Sequence, residues 1–352
     1  MTKVHNYSAG PCILPQEVLR KASEAVVNFN DLNLSLLEIS HRSKDYVEVM
    51  DKACSLVKEV LNVPDGYRVV YLGGGASLGF LISAMNFMKV GGKGAYINTG
   101  TWSNKAIKEA KLIGDVDVVA SSKEDNFKYI PKSYQVPEDA DYLHYTSNNT
   151  IFGTQFKSIP ETDKMLICDM SSDIFSKPID VSKFDLIYAG AQKNLGPAGS
   201  TLYIIKESSL GLTGRDIPSM LDLRIHIAKE SMFNTPPVFP VYVNMLTLEW
   251  LKNLGGVEKM GQLNRAKADL LYNEIDRNPL FEGFAKTEDR SDMNVTFNLT
   301  DGSYKESFDK LWKNANINGL NGHRSVGGYR ASIYNALPIE SVQVLVDVMK
   351  QL

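Results

Sequence analysis

Short apolar runs alternate with helical patterns between residues 67 and 205 of the chain. The apolar runs have the length and the flanking turn residues of strands. They cover Tyr67–Leu72, Ala95–Asn98, Val116–Ala120, Tyr142–Tyr145, Met165–Cys168, Phe184–Ala189 and Thr201–Ile205. Apolar residues at helical spacing predict helices over residues 16–30, Ser77–Met88 and Ser103–Leu112, and the polar stretch Ser121–Asp141 is predicted to be a surface loop. This alternation is typical of an α/β domain built on a mostly parallel sheet.

The pattern changes after Phe239. Helices are predicted over Val241–Leu251 and Val257–Ile275, with Gly255-Gly256 between them. A strand, a helix, a strand and a helix follow over Asn294–Asn298, Tyr304–Trp312, Arg330–Tyr334 and Ile339–Leu352. Pro338 is expected at the first position of the last helix. We therefore expect a large α/β domain over residues 16–250 and a smaller α+β domain made of residues 1–15 and 251–352.

Length and charge narrow the class of protein. A chain of 352 residues suggests about two domains, and a net charge of -3 gives no electrostatic footprint for nucleic acid. The cysteines Cys12, Cys54 and Cys168 lack metal-ligand spacing, so no metal site is expected. The sequence has neither a signal-peptide pattern nor an apolar run of about 18 residues. We therefore expect a cytoplasmic protein without a membrane partner.

Lys193 stands in a Gly/Pro-rich turn between two predicted strands. One apolar run leads into the turn, and a second, Ser200–Ile205, follows at once. Burial favours the neutral amine and lowers the pKa of a lysine, which suits a Schiff-base nucleophile. The alternative is a surface lysine in a hairpin turn, and this window alone favours that alternative.

Three other strand ends carry residues suited to a cofactor. The turn Gly73–Ser77 follows a strand and opens a helix, where free N–H groups favour a phosphate, although a plain tight turn would also explain it. Trp102 could stack on a planar ring or belong to the core. Asp169 could hold a pyridine nitrogen protonated or cap a helix. With Lys193, these residues supply the parts that a pyridoxal 5'-phosphate site requires.

Several segments resemble the phosphoserine aminotransferase family, in consistent order from residue 6 to the C-terminus. Ala189–Gly199 resembles that family's cofactor-lysine segment. The other segments are Asn6–Pro15, Glu38–Arg42, Ser231–Pro237 and Gly322–Asn335. The resemblance implies a fold-type I pyridoxal-phosphate enzyme with a large, mostly parallel-sheet domain and a smaller C-terminal α+β domain. It also implies a homodimer with active sites at the subunit interface.

The resemblance implies roles for individual residues as well. Lys193 would form the Schiff base with pyridoxal 5'-phosphate, and Asp169 would contact the pyridine nitrogen. The other cofactor contacts would be Ala76, Ser77, Trp102, Thr150 and Gln192, with Asn234 and Thr235 supplied by the neighbouring subunit.

The substrates implied by the resemblance are L-glutamate and 3-phosphohydroxypyruvate, which would give 2-oxoglutarate and O-phospho-L-serine in serine biosynthesis. Their phosphate and carboxylates call for charge-assisted donors. The pairs His41-Arg42 and His323-Arg324 suit the distal anion, and Arg330 suits the α-carboxylate; solvated surface patches are the alternative. Many family members carry arginine where Ser77 stands, so the full set of distal-anion contacts is left open. Some relatives also act on the phosphorylated precursor of pyridoxine.

Two other functions fit parts of the pattern. A pyridoxal-phosphate lyase on the same fold, such as a cysteine desulfurase, would need a cysteine on a mobile loop. The cysteines instead fall in the N-terminal segment, a predicted helix and a predicted strand, in the order Cys12, Cys54 and Cys168. A non-catalytic binding protein could keep the scaffold, but Asp169 and Lys193 together favour an enzyme.

Overall fold

The computed structural model describes residues 3–352. The helices are α1 (Gln16–Val27), α2 (Lys44–Val60), α3 (Gly75–Phe87), α4 (Thr101–Ala110), α5 (Leu223–Ala228), α6 (Val238–Asn253), α7 (Gly256–Arg277), α8 (Lys305–Asn314) and α9 (Ile339–Met349). The strands are β1 (His5–Asn6), β2 (Tyr67–Leu72), β3 (Lys93–Asn98), β4 (Asp115–Ser121), β5 (Ala140–Thr146), β6 (Asn148–Asn149), β7 (Thr154–Gln155), β8 (Met165–Asp169), β9 (Leu186–Gly190), β10 (Thr201–Lys206), β11 (Phe281–Gly283), β12 (Asn294–Leu299), β13 (Ile317–Asn318) and β14 (Tyr329–Ser332).

Within residues 3–352, a seven-stranded sheet forms the centre of the α/β part, in the order β2-β10-β9-β8-β5-β3-β4. The strands from β9 to β4 in this order pair in parallel. β10 is antiparallel to both of its neighbours, β2 and β9. Consequently β2 runs in the same direction as the parallel strands, and β2, β3, β5, β8 and β9 all end at one edge of the sheet. The prediction of a mostly parallel sheet is confirmed.

Both faces of this sheet are buried. Side chains alternate between the faces along each strand, and strands buried on both sides read as continuous apolar runs in the sequence. On β9, Ile187 and Ala189 pack in a core shared with α1, α2 and α6. Leu186 and Tyr188 face the opposite core, shared with α3 and α4. The helices on both faces therefore hold the strand ends in fixed relation to one another.

A separate core lies among the C-terminal elements. α7, α8 and α9 cover the sheet β11-β12-β14, and Tyr7 of the N-terminal segment belongs to the same cluster. β1 pairs in parallel with β13, which attaches the N-terminal segment to this part of the chain. α7 contributes Val257 to the first core and Leu271 to the second. The proposed domain boundary near residue 250 stays a prediction.

The predicted elements agree with the structure to within a few residues at their ends. The prediction that Pro338 is the first residue of the last helix is wrong. Pro338 lies before α9 in an extended conformation (φ -71°, ψ 151°), and the helix begins at Ile339. α5 was not predicted, and the helix expected at Cys54, for which no bounds were given, is α2. For α2 the signal was in the sequence, because Ser43 caps the helix and its buried side chains recur at helical spacing.

The stretch between β4 and β5 is a loop apart from a 3₁₀ turn at Lys123–Asp125. It is not wholly a surface loop, since Phe127 and Ile130 are buried. Among residues 3–352, no helix combines the length and apolar character needed to cross a bilayer.

Candidate active site

The ends of the parallel strands surround a cavity of about 220 Å³, referred to below as the pocket. Segments from both termini close it, since Ala9 and Gly10 line one side and His323 and Arg330 line another. Its other lining residues are Ala76, Trp102, Thr146, Asn148, Thr150, Ile151, Asp169, Ser171, Ser172, Gln192 and Lys193. Open α/β sheets bind ligands at this edge.

Lys193 lies in the turn after β9, and its side chain is buried in the pocket. Its Nζ donates a hydrogen bond of 2.7 Å to Thr150 Oγ1. Burial lowers the pKa of Lys193 to about 8, and the positive charge of Arg330 adds to that effect. The negative charge of Asp169 opposes it. The result is an amine that is partly neutral near physiological pH, as a nucleophile or general base requires.

Asp169 is the last residue of β8 and is buried. Its Oδ1 accepts hydrogen bonds from the backbone N–H and the hydroxyl of Ser171, at 2.9 and 2.5 Å. Burial raises the pKa of Asp169, while the bonds from Ser171 and the charge of Lys193 lower it. Because both bonds go to Oδ1, Oδ2 is left for a ligand in the pocket.

Trp102 and the turn Gly73–Ser77 lie at another side of the pocket, where Trp102 and Ala76 line it. Gly74 has φ 98°, and a Cβ added there would lie 2.5 Å from a side-chain atom of Leu78, so the turn requires glycine. α3 begins at Gly75, which leaves the first N–H groups of the helix free to bind an anion. Trp102, in the first turn of α4, has its ring centroid 5.7 Å from Lys193 Nζ.

Arg330 comes from β14, far from the other residues in sequence. Its neighbours Tyr329 and Ala331 pack in the second core, so the alternation of the strand turns Arg330 the other way. Its Nη1 lies 3.5 Å from the carbonyl oxygen of Thr150. Its Nε is buried without a hydrogen-bond partner in the described chain, as expected of a group that meets a ligand.

The structure brings eight predicted residues to the lining of the pocket and leaves six outside it. Inside are Ala76, Trp102, Thr150, Asp169, Gln192, Lys193 and Arg330, and His323 joins them. Arg42, Ser77, Asn234, Thr235 and Arg324 are exposed. Asn234 and Thr235 line a neighbouring cavity of about 270 Å³ beside Gly73.

The six predicted residues outside the pocket are His41, Arg42, Ser77, Asn234, Thr235 and Arg324. His323 is half-buried at the rim of the pocket, and its Nδ1 lies 2.7 Å from Ser325 Oγ. His41 and Arg42 precede α2 and contact each other, with 3.4 Å between Arg42 Nε and His41 Nε2. A single chain therefore assembles the predicted cofactor site more completely than the predicted substrate site.

Some lining residues were not predicted. Thr146 is the last residue of β5, and its buried hydroxyl has no partner among residues 3–352. Its position at a strand end was a usable signal. Ser171 and Ser172 follow Asp169 directly, so their proximity to the pocket also follows from the sequence. By contrast, nothing in the sequence predicts that Cys12 Sγ donates a 2.7 Å hydrogen bond to the carbonyl oxygen of Lys193.

Lys267 is a second buried lysine, on α7. Its Nζ donates to the carbonyl oxygens of Ile333, Tyr334 and Leu337, at 2.9, 2.7 and 3.1 Å. Burial lowers the pKa of Lys267 to about 7, while three carbonyl acceptors use all three N–H bonds of the ammonium form and so favour protonation. Lys267 thus binds the chain just after β14, and its amine is occupied by backbone groups.

The comparisons with known proteins extend along nearly the whole chain. The family profile described as "Aminotransferase class-V" matches residues 4–345. A phosphoserine aminotransferase from Flavobacterium johnsoniae is 65% identical over 351 residues, which cover 99% of each chain. A solved phosphoserine aminotransferase from Bacillus circulans subsp. alkalophilus is 44% identical, with a TM-score of 0.96 over 99% of this chain and 98% of that one. A solved, PLP-bound phosphoserine aminotransferase from Trichomonas vaginalis is 36% identical, with a TM-score of 0.94 over 99% and 100% of the two chains.

The perturbed Lys193 amine gives a prediction about pH. In protein freed of small ligands, labelling of Lys193 by an amine reagent should rise with a midpoint near pH 8 rather than 10.5, because burial favours the neutral form. Asp169→Asn removes an anion that favours the charged amine and should lower the midpoint. Arg330→Met removes a cation and should raise it. Peptide mass spectrometry of samples labelled at a series of pH values measures the midpoint for the wild-type protein and for both variants. A wild-type midpoint near 10.5 would show that burial does not lower the pKa of Lys193. Shifts of the same sign in both variants would show that Asp169 and Arg330 do not act on it with opposite effects.

Proposed function

The chain belongs to the class-V aminotransferases and, within them, to the phosphoserine aminotransferase family, and from that premise we propose its reaction. We infer that it exchanges an amino group between L-glutamate and 3-phosphohydroxypyruvate, giving 2-oxoglutarate and O-phospho-L-serine as a step of serine biosynthesis in the cytoplasm. The observation that supports this is the buried amine of Lys193, which shares a pocket with the carboxylate of Asp169 and the guanidinium of Arg330.

Pyridoxal 5'-phosphate fits the residues of the pocket. Asp169 offers a buried carboxylate to a protonated ring nitrogen, and Trp102 offers a flat indole to the ring. The first turn of α3, with Ala76 and Ser77, offers N–H groups to the phosphate. The unpartnered hydroxyl of Thr146 is further support, because buried polar atoms in proteins normally have a hydrogen-bond partner. We propose that these residues hold the cofactor together with Thr150, Gln192 and Lys193.

Lys193 is the group that moves protons in this proposal. When bound, the cofactor supplies an electron sink for negative charge that develops at the substrate's Cα. Lys193 Nζ then takes the proton from that Cα as a general base, for which burial has lowered its pKa to about 8. Thr150 Oγ1 accepts a hydrogen bond from the same nitrogen and so orients it. Asp169 is kept in place by Ser171 and favours the protonated ring nitrogen.

Arg330 is proposed to bind the α-carboxylate of the substrate. Its guanidinium lines the pocket and has an unpartnered Nε among the described residues. A planar guanidinium can bind a carboxylate through two hydrogen bonds, which fixes the orientation of Cα toward Lys193. His323 lines the same pocket, and we propose that it and Arg324 bind the distal anion.

We propose a homodimer in which each subunit completes the other's site. His41, Arg42, Asn234 and Thr235 lie outside the pocket of their own chain, although the sequence predicts a role for each in binding substrate or cofactor. Asn234 and Thr235 are exposed on a loop, as is Arg42 on the turn before α2. Exposed donors of this kind are available to the pocket of a second copy, in a symmetric arrangement that gives two equivalent sites.

The environment of the half-buried Cys12 argues against a sulfur-transferring lyase. Its thiol donates to the carbonyl oxygen of Lys193, and burial raises its pKa to about 12. A thiol nucleophile reacts as the thiolate, so this environment disfavours reaction. Cys54 is on α2 and Cys168 is on β8, both regular elements rather than loops.

The first test is the visible spectrum of the purified holoenzyme during titration with O-phospho-L-serine. Addition should convert the cofactor band to that of its amine form, and 2-oxoglutarate should restore it. Lys193→Ala should abolish turnover because it removes the base, while Lys108→Ala, an exposed position on α4, should leave turnover unchanged. A spectrum unmoved by phosphoserine but moved by a different amino acid would overturn the substrate, and near-normal turnover of Lys193→Ala would overturn the mechanism.

Hybrid dimers test the shared site. Homodimers of Lys193→Ala and of Arg42→Met should each have little activity. In a hybrid of the two, one site combines an intact Lys193 with the intact Arg42 of the other chain. If Arg42 acts across the interface, the hybrid should recover about half of the wild-type activity, since one of two equivalent sites is whole. Absence of recovery in purified, differently tagged hybrids would show that Arg42 serves the pocket of its own chain.

A further inference from the structure

Lys105 projects from α4 onto the wall of the pocket. It follows Trp102 by three residues, so the two side chains are neighbours on the helix surface. Lys105 Nζ lies 4.6 Å from the centroid of the Trp102 ring, and Trp102 lines the pocket. Lys105 is exposed, which leaves its ammonium group free to meet an anion that enters from solvent.

The rim around Lys105 is positively charged. Burial lowers the pKa of His323, and the charges of Arg330, Arg324 and Lys105 lower it further. Lys105 is therefore one of three cationic side chains near His323. The other two, Arg324 and Arg330, come from a distant part of the sequence. Asp169 is the one acidic residue among the described residues that line the pocket, and its Oδ1 accepts a hydrogen bond from the hydroxyl of Ser171. Such a rim suits a substrate whose distal group carries more than one negative charge.

The start of α3 supplies no cation to this rim. Ser77 occupies its first turn, and the turn Gly73–Ser77 contains no charged side chain. α3 packs against α4, and both helices begin at the same edge of the sheet, at Gly75 and Thr101. Lys105, in the second turn of α4, supplies a positive charge from the helix that packs against α3.

We propose that Lys105 is a specificity-determining residue that binds the phosphate of the phosphorylated substrate and so supplies the cation that Ser77 does not. This inference rests on the proposed function, because it assigns a contact to one of its two substrates. The ammonium group is a compact charge on a flexible stem, so it can follow the distal anion without fixing the position of Cα. Its loss should weaken binding of phosphoserine more than that of glutamate, whose distal carboxylate carries less charge.

The test compares Lys105→Met with Lys108→Met in the holoenzyme. Both variants remove one positive charge from α4, but Lys108 lies one turn further from the edge of the sheet that bears the pocket. Lys105→Met should raise the half-saturating concentration of O-phospho-L-serine about tenfold, the scale of a lost charge-assisted hydrogen bond. The value for L-glutamate should rise much less, and kcat should stay within about twofold, since only binding contacts are lost. Lys105→Arg should restore most of the phosphoserine affinity.

Inorganic phosphate provides a readout that does not depend on turnover. As a competitive inhibitor of the wild-type enzyme, it should bind about tenfold more weakly to Lys105→Met and with unchanged affinity to Lys108→Met. Equal behaviour of the two variants would overturn the inference. So would a fall in kcat with both substrates, which would indicate that Lys105 acts by supporting Trp102. Failure of the proposed function itself would be distinct, because the wild-type spectrum would then not respond to phosphoserine at all.

Discussion

Desolvation of the Lys193 amine is the constraint on which the pocket depends. A charged ammonium group is costly to bury without a compensating anion, so burial shifts the lysine toward its neutral form. The charges of Asp169 and Arg330 act on the same amine in opposite directions. Asp169 is in turn buried, with its pKa raised by desolvation and lowered by Ser171. The protonation of Lys193 and that of Asp169 therefore depend on each other. The positions of the strand ends decide how strongly, because they fix the distance between the two groups.

Those positions come from burial on both faces of the sheet. The sheet places β5, β8 and β9 side by side, and the helices packed on its two faces hold those strands in place. Asp169 is the last residue of β8, and Thr150 and Lys193 come shortly after the ends of β5 and β9. Arg330 depends on the other core, where Lys267 binds the three carbonyl groups that follow β14. Lys193 and Arg330 therefore line the same pocket, although they come from elements that pack in different cores.

Much of this could be predicted from the sequence, for physical reasons. Strands buried on both faces give continuous apolar runs, and the polar residues at their ends mark the proposed cofactor site. Residues that act through long-range contacts were predicted only by resemblance, as with Arg330 and His323. Lys105 and Lys267 were missed because each reads as an ordinary lysine in a helix. The charge of Lys105 lowers the pKa of His323, and Lys267 binds the segment after β14; both partners lie far away in sequence.

We propose that Lys193, rather than the buried Lys267, forms the covalent bond with pyridoxal 5'-phosphate. Reduction of the holoenzyme with borohydride, followed by digestion and peptide mass spectrometry, tests it most directly. We expect the added mass of the reduced cofactor on the peptide that contains Lys193, because the side chain of Lys193 lines the pocket. The same mass on the peptide containing Lys267, or on none, would show that Lys193 does not form this bond.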